Sequence, residues 1–114
     1  MSVYYKEFIT DDEAIRGIQE IKSHGIQDDD IYVITHENYR TEKLAEMASA
    51  NTIGVAEEGL GTAIANAFKT KGEELRAKLE HIGFSLSEAV DLEQQLDEHK
   101  VIVVVKNKPA GLTL

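Results

Sequence analysis

Val101-Ile102-Val103-Val104-Val105 decides the fold. These five consecutive β-branched residues lie between Lys100 and Lys106. Branching at Cβ stiffens χ1 and favours extended backbone, and the run is too short for a helix. It therefore reads as a strand buried on both faces. Such a strand needs partners for its backbone and a layer over each side, and the rest of the chain reads as that surrounding material.

Just upstream, Ser85-Leu86-Ser87-Glu88 is a capping box. It opens a helix that should turn Leu86, Ala89, Val90, Leu92 and Leu96 inward and Glu93, Gln94, Gln95 and Asp97 outward. Before it, Thr70-Lys71-Gly72-Glu73 offers another box, followed by Leu75, Leu79 and Ile82 at helical spacing. Glu74 and Lys78 form an i, i+4 pair on the wet face of that helix. Gly83 stands where a left-handed residue ends a helix, and Phe84 is placed to touch Leu79.

At the other end of the chain, residues 3–9 are aromatic and β-branched. Lys6 and Glu7 inside that run mark an edge strand. Thr10-Asp11-Asp12-Glu13 is a third capping box, and Ala14, Ile15, Ile18 and Ile21 form the apolar stripe of its helix. Gly25 stops this helix, with Ile26 set against Ile21. Asp28-Asp29-Asp30 is a polar turn without the spacing or glycine of a calcium loop. Ile31-Tyr32-Val33-Ile34 is the next strand. A weaker helix spans residues 36–50, with Thr41 as its cap and Leu44, Met47 and Ala48 as its apolar stripe. From Thr62 the helical period returns in Ala63, Ile64, Ala67 and Phe68.

The expected fold class is α+β, with a small three-stranded sheet packed with about four helices. The most apolar strand should lie between the others, giving order 1-3-2, a truncated ferredoxin-like sheet built on a split β-α-β unit. An all-parallel 2-1-3 order is the competing arrangement; it would put Lys6 and Glu7 at the sheet centre. Residues 1–108 are expected as a single domain and 109–114 as a flexible C-terminal tail. A strand buried on both faces requires either helices on both sides or a second molecule, so a homodimer is one expected form.

Bulk composition narrows function. The 114 residues include no cysteine, which removes disulfides, thiol nucleophiles and cysteine-based zinc sites. With 21 acidic against 12 basic side chains the net charge is −9. That field repels phosphate backbones and anionic membranes, so neither nucleic acid nor membrane is an expected partner. No window is apolar enough to span a bilayer, and the first residues lack the regions of a signal peptide. A cytoplasmic location is expected.

No catalytic constellation is visible, so the expectation is a protein that is not an enzyme and needs no cofactor. His24, His36, His81 and His99 show no HxxxH or HExxH spacing, and no metal ligand set is encoded locally. Ser85 and Ser87 sit in a cap and lack a nucleophile elbow. The one unusual stretch is 51–61, where Gly54, Gly59 and Gly61 accompany Asn51, Thr52, Glu57 and Glu58. It lacks the Lys-Ser or Lys-Thr of a phosphate loop, and its two glutamates oppose phosphate. As a ligand-binding segment it would offer Asn51, Thr52, Gly54, Glu57, Glu58, Gly59 and Gly61, with Glu57 or Glu58 as a cation ligand or base. As plain structure it is a helix connection that permits close packing.

Nearly the whole chain resembles the general stress protein 17M family, the YflT-like heat-induced stress proteins. The resemblance rests on Asp12-Glu13-Ala14-Ile15, on Asp29-Asp30-Ile31-Tyr32-Val33-Ile34 after Gly25, and on residues 51–59. It continues through Gly72-Glu73-Glu74-Leu75-Arg76-Ala77-Lys78 and ends in the Val101–Val105 strand. It implies a cytoplasmic protein of the bacterial general stress response with no assigned catalytic activity, and it supplies no site residues.

Overall fold

The computed structural model describes residues 3–53 and 70–108. In chain order these give β1 (Tyr4–Phe8), α1 (Asp11–Ser23), a single 3-10 turn (Asp28–Asp30), β2 (Ile31–Ile34) and α2 (Asn38–Ala48). There follow β3 (Asn51–Thr52), α3 (Lys71–Ile82), α4 (Leu86–Asp97) and β4 (Val101–Val105). The helical stretch expected from Thr62 and the tail 109–114 lie outside the described residues.

The sheet runs β1-β4-β2-β3. β4 is antiparallel to both neighbours, with Lys6 opposite Val103 on one side and Val33 opposite Val103 on the other. The expected order of the three long strands therefore holds, with Lys6 and Glu7 on the edge. The strand count needs correction, because β3 adds a fourth, parallel to β2 through Tyr32↔Asn51 and Val33↔Thr52. Two polar residues carry no period to read, and Asn51 is fixed from outside the strand. The ferredoxin-like comparison stops at the split β-α-β unit, since β3 lies beside β2 with no hairpin.

All five residues of β4 are buried. Side chains alternate along a strand, so Val101, Val103 and Val105 join one core with Ala14, Ile18, Ile21, Leu44 and Ala48 of α1 and α2. Ile102 and Val104 join the other, with Leu75, Leu79, Ile82, Ala89, Leu92 and Leu96 of α3 and α4. Both faces of the central strand are thus covered within one chain, and the reason for expecting a second molecule as cover is removed.

Helix ends follow the sequence at several points. The hydroxyls of Thr10, Thr70 and Ser85 accept from the backbone N–H groups of Glu13, Glu73 and Glu88. Ser85 completes a full box, its N–H donating to Glu88 Oε1 at 2.8 Å. Glu13 instead reaches one residue further back and accepts from the N–H of Ile9 at 3.3 Å. After α3, Gly83 (φ +127°) and Phe84 close a Schellman turn through N–H bonds to Glu80 and Leu79. Two further turns of this kind use residues that are not glycine. Ser49 (φ 54°) ends α2 and His99 (φ 66°) ends α4, both left-handed.

Three helix assignments change. Thr41 lies inside α2, not at its cap, and its buried hydroxyl accepts from the Thr35 N–H at 2.9 Å. Met47 points outward and Ala45 takes its place in the core. In α4, Leu86 and Val90 are exposed, while Glu93 turns in to pair with Arg76 of α3. At ~100° per residue, Leu86 and Val90 lie roughly 90° and 130° from the centre of the Ala89-Leu92-Leu96 stripe, farther round than Glu93. Gly72 makes room for that carboxylate: a Cβ there would stand 2.9 Å from Glu93 Oε2.

Candidate functional site

Of the seven residues proposed from sequence as ligand-binding, Asn51 and Thr52 are described. Gly54, Glu57, Glu58, Gly59 and Gly61 lie outside the described residues. The Asn51 amide is committed to structure. It donates to the carbonyls of Asp28 at 2.8 Å and Ile31 at 3.3 Å, which pins β3 to the turn before β2. The same turn is more than a solvated acidic run. Asp28 pairs with Lys22 at 3.2 Å, and Asp30 accepts from the Lys106 N–H through its carbonyl and from Asn107 through its carboxylate. Lys22 also donates to the carbonyls of Ala48 and Ser49 at 2.6 and 2.9 Å. A cation there satisfies the open C-terminus of α2.

Ionisable side chains gather where the C-terminal ends of β1 and β2 meet the start of β4. His36 faces Glu37 at 3.3 Å and Asp97 at 3.2 Å, and His99 faces the same Glu37 oxygen at 3.6 Å. Arg40 binds Asp11 at 2.7 Å and the carbonyl of His99 at 2.8 Å. Two of the four histidines thus share one carboxylate across the fold, a meeting that local spacing could not show. Among the described residues no three histidine or carboxylate side chains form a metal-holding group. The arrangement ties the start of α1, the start of α2 and the end of α4 together.

A second polar group lies between α2 and α3. Lys71 Nζ donates to Asn38 Oδ1 at 2.7 Å and to Glu74 Oε2 at 2.8 Å. Burial raises the Glu74 carboxyl, but the Lys71 hydrogen bond and the charges of Lys78 and Lys71 outweigh it, so Glu74 sits below its usual range. Lys78 is not on a fully wet face. Burial pushes its ammonium below the usual lysine range against the pull of Glu74; Lys71 pushes the same way and Glu42 opposes.

A lysine lowered in the folded chain makes that chain bind fewer protons than the unfolded chain between its two pKa values, so stability rises with pH through that interval. Lys78→Met is therefore expected to stabilise the fold at neutral pH, by about 1 kcal/mol or less because the side chain is partly solvated. The gain should shrink as pH rises toward the usual lysine value, measured as the difference between variant and unmodified urea midpoints across alkaline pH. A constant difference would show that lost charge is not the cause.

A small niche opens at the end of β3. Tyr32, Ile53, His81, Ile82 and Lys106 line about 30 Å3. Ile53 and Ile82 are buried beneath it, while His81 and Lys106 are exposed at its rim. Among the described residues no carboxylate lines it.

The described structure defines a small α+β domain of four helices and a four-stranded sheet, its ionisable groups largely turned to holding elements together. The family described as heat induced stress protein YflT domain matches residues 3–99, and the chain belongs to that family. A curated relative, General stress protein 17M of Bacillus subtilis (strain 168), is 42% identical over 105 residues, covering 92% of this chain and 91% of the relative. No solved structure matches the chain. The family expected from residues 12–15, 29–34, 51–59 and 72–78 is thus the family found.

Proposed function

We propose that this protein serves the bacterial general stress response in the cytoplasm by binding, without catalysing a reaction, and that self-association into a homodimer is one form of that binding. The supporting observation is the outer face of α2. Tyr39 is 75% exposed and Met47 59% exposed, eight residues apart on the side away from a core that α2 already completes with Leu44, Ala45 and Ala48. Lys43, also exposed, lies between them in the chain. Large apolar side chains kept in water beside a finished core favour an interaction surface over a packing role. The charge of −9 counts against nucleic acid as the partner.

Sedimentation of the full chain, with capture of partners from heat-stressed lysate, tests this reading. Association that weakens in a Tyr39→Ser, Met47→Ser double variant supports it. A strictly monomeric chain that retains no partner overturns it. The second reading, a small ligand or cation sensor around residues 51–61, gains support from the niche at Ile53. Thermal-shift screening with metals, nucleotides and metabolites addresses it.

A further inference from the structure

We propose that two copies of this chain pair through α2, antiparallel about a two-fold axis beside Lys43, with Lys43 of each copy set against Glu46 of the other. The inference rests on the self-association reading above and gives it a partner, a direction and a register. At ~100° per residue, Tyr39, Lys43 and Met47 follow one another at four-residue spacing and make one ridge along the helix. Glu42 and Glu46 make the neighbouring ridge. All five residues are exposed, and the groove between the two ridges lies opposite the buried Leu44, Ala45 and Ala48.

Helices in globular proteins pair most often by setting such a ridge of one into the matching groove of the other. With a second α2 running the opposite way, Tyr39 comes level with Met47 of the second copy, and Met47 with its Tyr39, because both residues are four positions from Lys43. A thioether then lies against a phenol ring, a favourable contact made twice, at points ~12 Å apart along the helix. Between them Lys43 enters the groove beside Glu46 of the second copy, and the symmetry makes the same pair again.

Charge selects this helix and a second copy as its cover. Two molecules of net charge −9 repel each other, so their contact needs opposite charges at close range. The Lys43 ridge and the Glu42–Glu46 ridge supply both signs on one self-complementary face. The other exposed apolar pair on a helix, Leu86 and Val90 of α4, lacks this property. From Leu86 to Asp97 that helix contains no lysine or arginine, and its exposed Glu88 and Asp91 would meet their own kind. Within α2, Glu42 already acts on Lys78 of α3, which leaves Glu46 as the principal partner of Lys43. A single helix pair is a small contact, so the dimer is reversible and depends on concentration.

The test is a charge exchange, read by sedimentation equilibrium of the full chain over a concentration series at physiological salt. Lys43→Glu and Glu46→Lys should each weaken self-association by about tenfold, since each turns both symmetric pairs from attraction to repulsion. An equal mixture of the two variants should associate about as tightly as the unmodified chain, because every pair across the axis is again of opposite sign. Both positions are exposed, and urea midpoints close to that of the unmodified chain show that the fold is intact. If net charge alone governed association, Glu46→Lys, which reduces it, would tighten binding, and that result overturns the proposal. Unchanged association in either single variant overturns it, as does a mixture that fails to recover; in both cases the self-association reading still stands. An unmodified chain that stays monomeric also overturns it, and if that chain retains no partner from lysate, the reading of function falls with it.

Discussion

Leu79→Ala is expected to cost the fold about 3 kcal/mol, and Ile18→Ala a similar amount, from opposite sides of the same sheet. Both side chains are fully buried, and neither α3 nor α1 can close over the missing methyl groups while its neighbours hold their places. Each loss is a large part of the roughly 5–15 kcal/mol that holds a domain of this size. The two cores share β4, whose alternate side chains enter each. Removing one layer should therefore release the other. In urea, both variants should show a lower midpoint, an unchanged slope and a single transition. Two separated transitions in either variant would mean that the layers fold independently and that β4 does not couple them.

Thr41→Val should cost about 2 kcal/mol although it replaces a hydroxyl with a methyl of nearly the same size. The Thr41 hydroxyl accepts from the N–H of Thr35 at 2.9 Å and lies 2.8 Å from the Thr35 hydroxyl and 3.1 Å from the Glu37 carbonyl. Thr35 is only 1% exposed, so water cannot replace the lost acceptor. The N–H that closes β2 would be orphaned, and that cost exceeds the value of the bond itself. Thr41→Ser, which keeps the hydroxyl and drops the methyl, should recover most of the loss in the same urea experiment. If serine is as damaging as valine, packing of the methyl is the cause.

The features that sequence made visible are those whose cause is local. A β-branched run between two lysines can only be a central strand, and a strand carrying Lys6 and Glu7 belongs at an edge. Thr10, Thr70 and Ser85 sit before their helices with glutamate three residues on, so the cap can be read without knowing what the helix packs against. Gly25 and Gly83 mark stops because glycine alone adopts positive φ without strain.

The missed features depend on partners distant in the chain. Asn51 and Thr52 form a strand because Asn51 is held by the carbonyls of Asp28 and Ile31, a bond that no period announces. Ser49 and His99 take the left-handed cap despite their side chains, and each is held by a remote cation. Lys22 binds the carbonyl of Ser49, and Arg40 binds that of His99. Leu86 and Val90 read as core because they are apolar, but the helix turns Glu93 inward instead, toward an arginine on another helix. The candidate site at 51–61 was legible only as an odd composition. The niche beside it could not be foreseen, since Tyr32, His81 and Lys106 approach one another only after the sheet has closed.

The position of β4 in the sheet has a consequence for how the chain is made. β1 and β2 are its two neighbours, yet neither can pair with it until residues 101–105 have been synthesised. A ribosome adding roughly 5–20 residues each second therefore exposes both strands for several seconds before their common partner exists. During that interval their open hydrogen-bonding edges and apolar faces are available to other chains. Closing the β1–β4 ladder then joins segments nearly a hundred residues apart in a single step, with most of the loop entropy lost at once. Closure of the sheet is thus postponed until residues 101–105 have emerged. Until that step, the stability of the nascent chain rests on its helices and on the short β2–β3 pairing alone.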